Sequence, residues 1–117
     1  MLLISGGHER AHYAFMMAAG AAALGRAVVL FATNEGCRAL MPGAFAGDAR
    51  EAEAVAKGVA GVGELAEVLA ELGVRRIACE AGLRMIGAEG AALADGVEVA
   101  GIATFLEAVG AGQIVTL

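Results

Sequence analysis

The sequence predicts an α/β fold in which a mostly parallel sheet is covered by helices on both faces. Three observations lead there. Short apolar runs recur along the chain, and each ends at glycine or in a polar turn. The runs are continuously apolar instead of alternating, as strands buried on both faces are. Between them lie longer stretches rich in Ala, Leu and Glu with helical spacing, so strand and helix alternate.

Leu2 to Ser5 is the first strand and feeds the turn Gly6-Gly7. Glu9 to Leu24 is a helix with an acidic residue near its start and Gly25 at its end. Ala27 to Ala32, AVVLFA, is the second strand, broken by Thr33-Asn34-Glu35-Gly36; Cys37 to Met41 is one helical turn before Pro42. Residues 43–62 carry mixed signals. DAREAEAVAKG has short-helix character, whereas GVAGVG argues for a mobile surface loop or flap. Glu64 to Leu72 is a helix closed by Gly73, and Arg75 to Cys79 the third strand. A short helix, Ala81 to Ile86, stops at Gly87. The turn Asp95-Gly96 then leads to a fourth strand, Val97 to Ala100, a helix, Ile102 to Val109, and a fifth strand, Gln113 to Leu117. No repeat or linker interrupts the pattern, so residues 1–117 are expected to form a single domain with five strands. Their spatial order does not follow from the pattern.

Hydrophobic residues make up 59% of the chain and aromatic residues only 4%. A small domain cannot hide that much apolar surface as a monomer, which predicts a homo-oligomer with an apolar interface. The net charge of −5 argues against nucleic acid or an anionic membrane as partner. The longest apolar stretch, between Arg10 and Arg26, contains His12, Gly20 and many alanines. It falls short of the roughly 18–20 strongly apolar residues of a membrane span. The N-terminus shows no positively charged leader, and two cysteines are too few for a disulfide framework. A reduced, cytoplasmic protein is expected.

In open parallel sheets, ligands bind beyond the carboxyl ends of the strands. Three loops there carry polar or reactive groups: Ser5-Gly6-Gly7-His8, Thr33-Asn34-Glu35-Gly36-Cys37, and Cys79-Glu80. Cys79 sits where the third strand gives way to a helix, and free amide N–H groups at such a junction favour a thiolate. Arg75, Arg76 and Arg84 can add positive potential, whereas Glu80 opposes a second negative charge. The alternative is that Cys79 is a buried strand-end residue, since free cysteine is among the most buried types. Cys37 is either a resolving thiol for Cys79 or, more simply, a packing residue; no C-x-x-C spacing supports a redox pair.

His8 and His12 are spaced i, i+4, but no further histidine completes a ligand set, so no metal is expected. His8 is expected to line the pocket, where it can act as acid, base or charge partner to Cys79. His12 is assigned to the surface or an interface. Ser5-Gly6-Gly7 lacks both nucleotide-binding glycine spacings, and Glu9 would repel an anion there, so no cofactor is expected. Met16 and Met17 are assigned to packing.

The segment IACEAGLRMIG, followed by DGVEVAGIATFLE and the terminal QIVTL, resembles the small DsrE/DsrF-like proteins of intracellular sulfur metabolism. The resemblance extends upstream through AVVLFATNEG and ELAEVLAELGV, and omits residues 43–60. It implies a three-layer, flavodoxin-like α/β/α fold, a cytoplasmic location, and trimers or hexamers. It further implies that Cys79 carries a persulfide and passes its sulfane sulfur from a donor to an acceptor protein, as a sulfurtransferase or sulfur carrier. Cys37 falls where the family often has an apolar residue. Two other readings of the residues stay open: a thiol redox or peroxide-reactive protein using Cys79, and a non-enzymatic oligomeric module that binds a small ligand.

Overall fold

The computed structural model describes all residues, Met1–Leu117. Strand β1 is Leu2–Leu3, β2 Val29–Ala32, β3 Arg75–Cys79 and β4 Glu98–Ala100; helix α1 is His8–Ala23, α2 Ala49–Ala56, α3 Val62–Glu71, α4 Glu80–Met85 and α5 Ile102–Val109. A 3-10 segment, Asn34–Leu40, follows β2. The sheet has four strands in the order β1-β2-β3-β4, and every pairing is parallel.

Handedness explains the layers. Successive crossovers step the same way across the sheet, so right-handed connections place α1, α3 and α4 on one face. Leu3, Leu30, Ala32 and Ala78 point to that face and pack with Phe15, Leu65, Leu69 and Leu83 in the main core. The alternate residues Phe31 and Ile77 point to the other face, together with Cys79. There α5 supplies the cover: Phe105 stacks on Phe31 with centroids 4.8 Å apart. Single-helix cover leaves apolar surface in the open, and Ile4, Ile102 and Leu106 are all exposed.

One expectation needs correction. The sheet has four strands, not five. The segment expected as a fifth strand does lie beside β1, with Leu2 N–H donating to Val115 O and Leu117 N–H to Leu2 O, both at 2.8 Å. It forms only one isolated bridge, Leu2 to Thr116. β1 itself is two residues long before the chain turns toward α1, so its outer edge offers too short a ladder to complete a strand. The strand order also differs from the 2-1-3-4-5 order of flavodoxin, because no early crossover doubles back past β1.

The mixed-signal region resolves into α2. No residue of α2 is buried, so packing does not hold it. It is capped by Asp48, whose Oδ1 accepts from Arg50 N–H at 2.8 Å. It is tethered by Glu51, whose carboxylate accepts from Val62 N–H at 3.0 Å and Gly63 N–H at 3.2 Å. Those are free amides of the first turn of α3, which no residue of its own cap satisfies. No helix is long and apolar enough to cross a membrane.

Candidate functional site

Cys79 ends β3 and is also the N-cap of α4, with extended φ/ψ of −66° and 123°. Its Sγ accepts from the N–H of Gly82 at 3.4 Å, as a serine oxygen would at this position. The strand's alternation aims the thiol at the α5 face, among Phe31, Ile77 and Phe105, and the residue is 6% exposed.

The three loops at this edge are packed into one another. A Cβ on Gly82 would lie against Asn34 N and only 2.5 Å from Thr33 Oγ1, so only glycine lets α4 start flush against the end of β2. A Cβ on Gly6 would meet Glu35 Cβ at 2.8 Å, which ties the first loop to the second. Gly36 N–H donates to Ile4 O at 2.9 Å across the same seam. Ser5 Oγ accepts from Gly7 N–H at 3.2 Å and shapes the entry to α1. Asn34, at φ +50°, adopts the left-handed conformation that asparagine tolerates best among side-chain-bearing residues. Ser5 to Gly7, Thr33, Asn34 and Cys79 therefore line one continuous edge.

Other sequence candidates lie elsewhere or act differently. Glu80 is exposed and 3.3 Å from Arg84, which also approaches Glu89 at 3.5 Å, so its carboxylate does not face Cys79 unopposed. Arg76 and Arg75 are set back from the thiol along the strand. They lie three and four residues back along β3, roughly 10–13 Å away at the rise of a strand. Arg75 pairs with Glu98 through bonds of 2.9 and 2.7 Å, and the Arg76 guanidinium donates to Asp95 O at 2.9 Å. His8 is buried on the helix-rich side, where its Nε2 lies 2.6 Å from Glu51 Oε2. Phe45 packs edge-on against the His8 ring and His12 stacks on it. His12 in turn bonds to Ala60 O at 2.8 Å. His8 thus braces the Glu51 tether and is not set against the cysteine. No group of three or more His, Cys, Asp or Glu side chains is placed to hold a metal ion.

Cys37 is fully buried, and its thiol donates to Ala32 O at 3.3 Å. Burial pushes the thiol up to about 11, against a smaller stabilisation from the Cys79 N–H. Such a group stays protonated and unreactive at neutral pH. Both cysteines are free. Sequence reasoning missed Gly82 and Glu51: the first shows only as a glycine three residues after the cysteine, the second as one acid among several in a polar stretch.

The fold and this edge define a class: small parallel α/β proteins with a lone thiol where an inner strand meets a helix. The DsrE/DsrF-like family model matches residues 1–117, and the chain belongs to that family. Among solved structures, the crystal structure of the ychN protein from E. coli is similar, with a TM-score of 0.68 over 99% of this chain and 97% of that one. The sequence identity is 14%, so the likeness is one of fold. No curated protein matches.

Proposed function

We propose that this protein carries sulfane sulfur as a persulfide on Cys79 and passes it to a partner protein. The observation that carries the proposal is the placement of Cys79. Its sulfur sits at a strand–helix junction, takes an N–H from Gly82, and belongs to a chain of the DsrE/DsrF-like family. In the loading step the Cys79 thiolate attacks the outer sulfur of a donor persulfide. The donor's S–S bond breaks, a new S–S bond forms on Cys79, and the electron pair leaves on the donor thiolate, so no external oxidant is consumed. Transfer is the same exchange run onto an acceptor thiol.

The intramolecular-disulfide form of the redox alternative needs a second attacking thiol, and the fully buried Cys37 does not supply one. We further propose a cytoplasmic homo-oligomer, a trimer or hexamer, that buries the open apolar surface around α5.

The test is sulfur loading from inorganic polysulfide, read as cyanide-labile sulfur per chain. Wild type and Cys37→Ala should each hold about one equivalent and Cys79→Ser none. Equal loading of Cys79→Ser and wild type would overturn the proposal.

A further inference from the structure

Arg76 is the one fully charged side chain that the fold buries without a charged partner. It is 8% exposed and takes part in no ion pair. Its single hydrogen bond runs from Nη2 to Asp95 O. Its Nε is buried and meets no acceptor on the protein. A guanidinium keeps its charge at any physiological pH and presents five donors in a planar fork. Tying down the connection before β4 uses only one of them, and a buried cation without an anion is strongly unfavourable.

The same side chain lines a cavity of about 230 Å³ on the helix-rich side of the sheet, the face opposite Cys79. Phe15, Leu40, Met41, Val62 and Ala66 form apolar walls, and the exposed Glu67 stands at the rim. An apolar chamber with one convergent polar group is the usual form of a small-molecule site. We propose that this cavity binds a small organic monocarboxylate, its carboxylate paired with Arg76 and its compact apolar body against Phe15, Leu40 and Val62.

Size and charge set the class. A cavity of about 150 Å³ holds benzene, so this one has room for a ring or branched chain of that size plus a carboxylate. Arg76 offers a fork that matches a carboxylate bidentately. Glu67 at the mouth and the overall charge of −5 disfavour polyanions such as nucleotides. The site is independent of sulfur chemistry at Cys79 and stands or falls separately.

The test titrates isotope-labelled protein with benzoate, 3-methylbutanoate and neutral benzamide while amide resonances are followed. Saturable shifts at Val62, Gly63 and Ala94 are expected with at least one of the two acids. That acid should bind at least about tenfold tighter than benzamide, because the charged pair forms in a desolvated site. In Arg76→Met, which keeps an apolar stem, the acid should lose about tenfold in affinity while benzamide is unchanged. No saturable shift with either acid at millimolar concentration overturns the proposal. Equal binding of the acids and benzamide by the wild type does so too, and neither outcome depends on whether the variant folds.

Discussion

Cys79 does two jobs with one sulfur: it closes β3 against α5, and it caps α4 by accepting the Gly82 N–H. The capping role predicts an asymmetry between substitutions. Cys79→Ser keeps an acceptor and should melt within a degree or two of wild type, whereas Cys79→Ala should lose about 1 kcal/mol in denaturant unfolding. Cys37 belongs to the 3-10 segment and is fully buried, with its thiol pushed up to about 11. Alkylation of native protein near neutral pH, read by peptide mass mapping, should mark Cys79 and spare Cys37; both should react once the chain is unfolded. The reactive candidate was legible in the sequence because a cysteine between an apolar strand and a helix is a recognisable junction. Its hydrogen-bond donor was not, since a backbone N–H carries no sequence signature. Nor was the burial of Arg76, which depends on Asp95 and α3 closing over it from distant parts of the chain.

At the scale of elements, α4 and α2 show how much rests on single contacts. Gly82→Ala drives a Cβ into Thr33 and Asn34 and should cost about 1–3 kcal/mol, with sulfur loading at Cys79 falling as α4 shifts. Burial opposes the charge on Glu51, but hydrogen bonds from Val62 N–H, the His8 ring and Gly63 N–H hold its carboxyl below the ordinary 4.5. A carboxyl whose folded value is depressed stabilises fully above its unfolded value and loses that contribution as pH falls through the folded one. Glu51→Gln should therefore lose about 1–3 kcal/mol at neutral pH. It should also show a shallower decline in urea midpoint from about pH 4.5 downward than wild type. An equally steep decline would assign the acid sensitivity to other carboxylates. Residues 43–62 read ambiguously in the sequence for the same reason: α2 buries nothing and is held by Glu51 and Asp48, so hydrophobic periodicity had nothing to register.

At the scale of the molecule, alternating apolar strands and helices were enough to give a parallel α/β fold. The fifth strand was not a matter of composition. QIVTL has the right residues, but the two-residue β1 beside it limits what they can pair with. Strand order also lay beyond the pattern, since it is set by which way each crossover steps. The apolar excess noted in the sequence reappears as exposed Ile4, Ile102 and Leu106 on and around the thinly covered face. Sedimentation should give a multiple of the 11.6 kDa chain mass, and Leu106→Lys, half exposed in the single chain, should shift it toward the monomer. A wild type that sediments as a monomer would contradict this.

The central claim is that Cys79 holds the transferable sulfur, and intact-mass spectrometry after brief exposure to a persulfide donor tests it most directly. Wild type and Cys37→Ala should gain the mass of one sulfur atom, removed by a thiol reductant, while Cys79→Ser gains none. A sulfur adduct that persists in Cys79→Ser, or none on the wild type, would contradict the account.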